Sequence, residues 1–319
     1  MSQRIATAQE LVGRLRRRDV SAAPATLNLL EDENRRSEAS ALMAALSPGA
    51  LGAEAPGHII GLTGPPGAGK STLLGALVSA WRGSDRSVAV LAVDPSSKRS
   101  GGALLGDRIR IAGSGVGGPG RFIRSMAARE RVGGLAPATR AAAQVLAVAF
   151  DLVVVETVGV GQSETEVGDL ADTVVVVLQP GAGDGLQYLK AGVMEIPDLL
   201  VVAKADLGGP AQAALRDARS TLAVLGAGAT GLLAVSALPP TQGIDELIAW
   251  LDEHRAGLDL GARRLQTRRA GALADFISEY GERGLRALGG RRAAEQALLE
   301  SDRDLDGPSL VASLGAQVV

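Results

Sequence analysis

Gly64-Pro65-Pro66-Gly67-Ala68-Gly69-Lys70-Ser71-Thr72 decides how the rest of this chain is read. It fits the spacing G-x-x-x-x-G-K-[ST] at every fixed position. Before it, His58-Ile59-Ile60-Gly61-Leu62-Thr63 has the apolar density of a buried strand. After it, Ser71-Thr72-Leu73-Leu74-Gly75-Ala76-Leu77-Val78 opens as a helix. Glycines take backbone angles closed to other residues. The backbone N–H groups can then turn inward and cradle phosphate oxygens at the positive end of a helix. Lys70 adds a cation beside the β- and γ-phosphates, and the Ser71 hydroxyl can ligate Mg2+. A glycine-rich turn without a ligand would explain the glycines, but not their agreement with the strand and helix on either side.

Working outward, further short apolar runs follow: Ser87 to Asp94, Asp151 to Glu156, Thr173 to Gln179, Asp198 to Ala203 and Gly231 to Ser236. Each is rich in Val, Leu or Ala and bounded by charge, Gly or Pro, as in strands buried on both faces. Helical or loop segments separate them. The alternation predicts an α/β fold with a doubly wound, mostly parallel sheet. Ligands bind such sheets at the carboxyl ends of the strands, and Asp94, Glu156 and Asp206 all fall at or just past such ends. Residues 1–55 read as an N-terminal helical extension, with Leu11, Leu15, Leu27 and Leu30 near helical spacing. Its cluster Arg14, Arg16, Arg17 and Arg18 reads as a solvated helix face, with a partner surface as the alternative. Residues 47–57 look like a linker, 56–257 form the nucleotide domain, and 258–319 form a C-terminal helical segment broken at Gly289-Gly290 and Asp306-Gly307-Pro308.

Composition narrows the function. With 319 residues the chain can hold one sizeable core and smaller appendages. A net charge of −2 gives no global field favouring nucleic acid. The absence of cysteine excludes disulfides, thiolate metal sites and cysteine nucleophiles. No apolar run has the length of a signal peptide or a membrane span, so a soluble cytoplasmic protein with no membrane partner is expected. His58 and His254, far apart in sequence, read as ordinary unaccompanied residues, and Trp81 and Trp250 as residues packing helices on the sheet.

Several polar residues carry the expected chemistry. Asp94 at its strand end can hold a water of Mg2+, or cap a turn; Asp107, in a glycine-rich loop, can reach the metal or the γ-phosphate, or be a plain loop acid. Glu156, closing a run of valines, is placed for a second metal-associated carboxylate. The glycines after it let the backbone approach a γ-phosphate and withdraw. Gln162 either orients water or only packs. Lys204-Ala205-Asp206 follows an apolar run, and an Asp there accepts from the guanine ring N–H and amine, a donor pair adenine lacks. The Lys204 stem can lie along the base. Ser236-Ala237-Leu238 can offer backbone N–H groups to the guanine carbonyl oxygen.

Taken in order, Gly64 to Thr72, Val93 to Ser97, Leu105 to Arg108, Phe122 to Ala127, Glu156 to Glu164 and Pro180 to Asp184 resemble the MeaB/ArgK/MMAA family of GTPases. The run Glu156-Thr157-Val158-Gly159-Val160-Gly161-Gln162-Ser163-Glu164 is far more specific than a phosphate loop alone. The resemblance implies a P-loop NTPase sheet of SIMIBI type and a GTPase using Mg2+. The implied catalytic residues are Lys70, Glu156 and Asp107; the implied metal residues are Ser71, Asp94, Asp107 and Glu156. It implies a client, an adenosylcobalamin-dependent acyl-CoA mutase, chiefly methylmalonyl-CoA mutase, whose cofactor loading is gated and which is protected from inactivation. Cobalamin enters only through that mutase. A homodimer is implied, with contacts from the C-terminal helices. A switch over Gln179 to Lys190 is also implied, taking in Gly181, Gly183 and Asp184.

Two departures stand out against the resemblance. Ala203 occupies the first position of the family's Asn-Lys-x-Asp motif, so weaker GTP binding is expected while base choice rests on Asp206. The C-terminal segment also lacks the aromatic residues that the resemblance leads one to expect in its first helix, which weakens the implication of a homodimer. Three rivals are a P-loop kinase or ATPase accessory of lysine/arginine/ornithine transport, a nickel-delivery GTPase and a non-catalytic nucleotide-gated adaptor. The absence of cysteine and the two isolated histidines disfavour nickel delivery.

Overall fold

A computed structural model describes residues 6–47, 55–94, 120–127, 135–157, 166–181 and 197–318. The chain divides into two compact units, one of His58–Ala136 with Asp151–Leu258, the other of Met1–Gly57, Pro137–Phe150 and Asp259–Val319.

The first unit is built on a sheet. Its strands are β1 (His58–Thr63), β2 (Val88–Asp94), β3 (Arg121–Ala127), β4 (Leu152–Thr157), β5 (Thr173–Leu178), β6 (Leu199–Val202) and β7 (Gly231–Ala234). The spatial order is β3-β2-β4-β1-β5-β6-β7, and each neighbouring pair among these strands is parallel. Each residue of β1 and β4 is buried, which is why these runs are continuously apolar rather than alternating. The apolar runs do not reveal β3. Arg121 and Arg124 interrupt it, and as an edge strand it needs a partner on one side only.

Two helices cover one face. They are α4 (Lys70–Trp81) and α7 (Ile244–Gly257), numbered in chain order with the helices given below. Leu73, Leu74, Leu77, Val78 and Trp81 of α4 and Ile244, Leu247 and Leu251 of α7 recur at helical spacing. They pack on Ile60, Leu62, Val90, Val154, Val177 and Val201 of the sheet. On the opposite face α6 (Gly209–Val224) sets Ala218 and Leu222 against Val176, Leu178 and Leu200. Arg86 donates to both carboxylate oxygens of Asp252 at 2.7 Å, tying α7 to the segment before β2. That pairing holds the guanidinium above its ordinary value.

The amino edge of the sheet is fixed by aspartates. Asp151 accepts from Ser87 N (2.8 Å), Asp172 from Ile59 N (2.9 Å) and Asp198 from Val174 N (2.7 Å). Each carboxylate thereby satisfies an amide on a neighbouring strand. The histidines, read from the sequence as unaccompanied, meet at this edge. The Thr173 hydroxyl bridges His58 Nε2 (2.7 Å) and His254 Nδ1 (2.9 Å). Parallel pairing sets the starts of β1 and β5 side by side, and α7 returns to that end of the sheet at its last turn. Trp250, one helical turn earlier, stacks on His254 at 4.8 Å.

The second unit is helical. It holds α1 (Ala8–Arg16), α2 (Ala23–Glu31), α3 (Arg36–Leu46), α5 (Pro137–Ala149), α8 (Leu260–Ala287), α9 (Arg291–Glu300) and α10 (Gly307–Gly315). A capping box of Thr7 and Glu10 starts α1, which buries Leu11 and Leu15. Arg140 of α5 pairs with Asp275 of α8 at 3.2 Å. Phe276, Leu285, Ala294, Leu298, Leu310 and Leu314 form the core shared by α8, α9 and α10. The first C-terminal helix, α8, carries Phe276 and Tyr280. Phe276 and Tyr280 stack at 4.8 Å, because α8 runs on well past its arginine-rich start. Burial pushes the Arg268 guanidinium below its ordinary value while it donates to the Arg303 carbonyl at 2.6 Å.

Candidate functional site

The carboxyl ends of β1, β4, β5 and β6 converge on the motif that opened the sequence. The chain leaves Thr63 and turns at Gly64 with φ 138°. A Cβ there would overlap the Val177 carbonyl of β5, so glycine is required for both angle and space. Gly69, at φ 99°, hands the chain into α4, and Leu73 N donates to its carbonyl at 2.8 Å. The first-turn amides of α4 therefore point back over the loop, where an anion is favoured.

Charge is concentrated at the same place. Lys70 is 6% exposed, and its ammonium donates to the carbonyls of Gly64 (2.7 Å) and Pro65 (3.1 Å). The Ser71 hydroxyl donates to Glu156 Oε1 at 2.6 Å. That bond occupies the serine proton and leaves its oxygen lone pairs to a hard cation, beside a carboxylate of the chemistry such a cation prefers. The pair fits Mg2+, which keeps most of its waters. Thr157 donates its hydroxyl to Thr63 Oγ1 at 2.8 Å, locking the ends of β4 and β1 in register beneath the loop.

A second constellation lies at the end of β6. Lys204 holds a left-handed backbone, φ 57°, uncommon outside glycine. Its ammonium donates to Gly67 O (3.1 Å) and to Gln179 Oε1 (2.5 Å). Asp206 is exposed, and its Oδ1 accepts from the buried Ser236 hydroxyl at 2.8 Å. Ser236 is fixed in turn by a two-way backbone bridge with Gln242, at 2.9 and 3.0 Å. A cleft of about 570 Å³ runs along α4, with Ser71, Thr72 and Ala76 on one wall and Ala237, Pro239 and Asp245 on the other. It adjoins Ser71 and Thr72 of the phosphate loop, and its lining does not include Lys204 or Asp206.

The structure thus brings together Gly64 to Thr72 with Glu156, and ties Lys204 to this loop. The Ser236 hydroxyl donates to Asp206, Ala237 lines the cleft, and Leu238 is 58% exposed. Gly181 turns the chain after β5 with φ 78°. Asp94 ends β2; its side chain, with Asp107, Gln162, Gly183, Asp184 and Lys190, lies outside the described residues. Among the described residues no group of three or more His, Cys, Asp or Glu could hold a metal ion, and no helix is long and apolar enough to cross a membrane. The bond from Lys204 to Gln179 and the Pro239–Asp245 wall have no signature in the sequence, since both arise from long-range register.

Comparison with known proteins agrees with this geometry. The family model described as methylmalonyl-CoA mutase-associated GTPase MeaB matches residues 24–282. A Pyrococcus horikoshii protein, provisionally named a GTPase, is 49% identical over 201 residues, covering 63% of this chain and 61% of the relative. The Escherichia coli GTPase ArgK is 39% identical over 206 residues, covering 63% of this chain and 60% of ArgK. The chain thus spans about three fifths of the length of these curated relatives. A crystal structure described as LAO/AO transport system kinase shares 26% identity with a TM-score of 0.64, covering 97% of this chain and 96% of that one. The chain belongs to the MeaB family.

Proposed function

We propose that this MeaB-family chain binds GTP with Mg2+, hydrolyses it, and acts as a nucleotide-gated chaperone of an adenosylcobalamin-dependent acyl-CoA mutase. The observation that carries the nucleotide reading is the pairing of two constellations. Lys204 is tied to the phosphate loop, and two residues on Asp206 is held by Ser236. A carboxylate so held accepts from the two donors on the guanine edge, and adenine would leave it unpaired.

The residues divide the work as follows. The amides of Gly67 to Ser71 hold the β-phosphate, and the base lies against Lys204 and Asp206. Ser71 would ligate Mg2+ with Glu156 as the support of that hydroxyl, and Asp94 and Asp107 are the further carboxylates proposed for the metal's surroundings. Bound there, the cation supplies neutralisation of charge on the β- and γ-phosphates. Lys70 offsets charge that develops on the γ-phosphoryl oxygens as water attacks in line and the bond to the β-bridging oxygen breaks. Such a loose transition state needs position and charge more than a strong base, so unaided turnover is slow and a partner accelerates it.

What supports the mutase as client is the description of the matching family. Cobalamin belongs to the client, and a homodimer with contacts from residues 258–319 is part of the same proposal. The test is GTP hydrolysis by the purified chain with and without a methylmalonyl-CoA mutase. Stimulation that Lys70→Ala abolishes is expected. Equal rates with and without each acyl-CoA mutase tried would remove the client from the proposal. A kinase reading rests on the name borne by the structural neighbour. It requires phosphate to appear on an acceptor rather than in solution, which the same assay distinguishes.

A further inference from the structure

We propose that Gln179 is a positioning residue for the nucleotide, supplying to the phosphate loop, through Lys204, the polar brace that Ala203 cannot give; this rests on the GTP reading above. The register sets the residues side by side. Leu178 pairs with Val202, and Ala203 N donates to Leu178 O at 2.8 Å, so Gln179 and Ala203 leave adjacent strands together. Ala203 is 5% exposed, and its methyl lies 4.0 Å from the point a Cβ on Gly69 would occupy. Position 203 therefore faces the phosphate loop, and it presents no polar atom there.

The polar contact comes one residue later. Lys204 reaches the Gly67 carbonyl at 3.1 Å, a long bond for a charged donor, and Gln179 Oε1 at 2.5 Å, a short one. A lysine ammonium is a compact charge on a flexible stem, and holding it in one place costs rotamer entropy. One long bond to a carbonyl restrains it poorly. Two acceptors restrain it better, and the second is Gln179. The amide thereby fixes both the loop that Lys204 touches and the stem that lies along the base. Gln179 touches no phosphate in this scheme and acts through Lys204.

A double-mutant cycle tests this, with GTP·Mg2+ affinity and steady-state hydrolysis measured on the full chain. Gln179→Met keeps length and removes the acceptor. It is expected to weaken GTP binding and raise KM about five- to tenfold, with kcat within about twofold of the starting protein. Ala203→Asn places an amide where the methyl faces Gly69. In the Gln179→Met background it is expected to restore affinity to within about twofold, and in the starting protein to add less than about twofold. A structural defect would instead lower kcat and resist rescue. Gln179→Leu, run in the same cycle with thermal unfolding of each variant, guards against a variant that fails to fold. The inference is overturned if both Gln179 variants fold and bind GTP as the starting protein does, or if Ala203→Asn changes affinity by the same factor in both backgrounds. Failure of the starting protein to take up GTP at all would overturn the GTP reading, and the inference with it.

Discussion

The phosphate loop and the turn after β6, proposed above to read the base, stand at the ends of neighbouring parts of one sheet and are made in opposite ways. The first is local. Gly64, Gly69, Lys70 and Ser71 fall within eight consecutive residues, and the backbone angles alone aim the amides. The second is assembled at long range. Asp206 is positioned by Ser236, thirty residues on, and Lys204 by Gln179, twenty-five residues back. A local device tolerates no change at its fixed positions, because the angle and the space belong to one residue. A long-range device spreads its support, so a fixed position such as 203 can change while a neighbour carries the load.

That contrast can be broken in four places. The largest effect is expected at Lys70→Ala, which removes charge at the developing γ-phosphoryl oxygens. It should lower kcat/KM for GTP about 10³-fold, equivalent to about 4 kcal/mol, as read from released phosphate. Next is Gly64→Ala. Backbone strain together with overlap on the Val177 carbonyl should cost about 3 kcal/mol of stability and abolish GTP binding; urea unfolding measures the first and calorimetry the second. Asp206→Ala should leave the fold intact yet reduce the preference for GTP over ATP about a hundredfold, about 2.7 kcal/mol, checked by competition binding. Ser236→Ala leaves the carboxylate in place but unsupported, and should cost about tenfold in GTP affinity, about 1.4 kcal/mol. If Ser236→Ala proves as damaging as Lys70→Ala, the base-reading side is no more tolerant than the phosphate loop and the contrast fails.

The two sides also differ in how far the sequence reveals them. The phosphate loop is legible at once because its physics is contained in consecutive residues. The valine-rich interior strands are legible too, since burial on both faces leaves an unbroken apolar run. Strand β3 is not, because Arg121 and Arg124 of an edge strand imitate a surface segment. Ser71 and Glu156 are each picked out by the motif and a strand end, and the structure places them in contact. The links of Lys204 to Gln179 and of His58 to His254 through Thr173 depend on strand register and on where a helix returns, and neither is written in local pattern.

Titration calorimetry of the 319-residue chain with GTP and with ATP, each with Mg2+, bears most directly on whether these two turns form one guanine nucleotide site. Uptake of one GTP per chain, with ATP at least about tenfold weaker, is the expected result. Equal affinity for the two nucleotides, or uptake of neither, would contradict it.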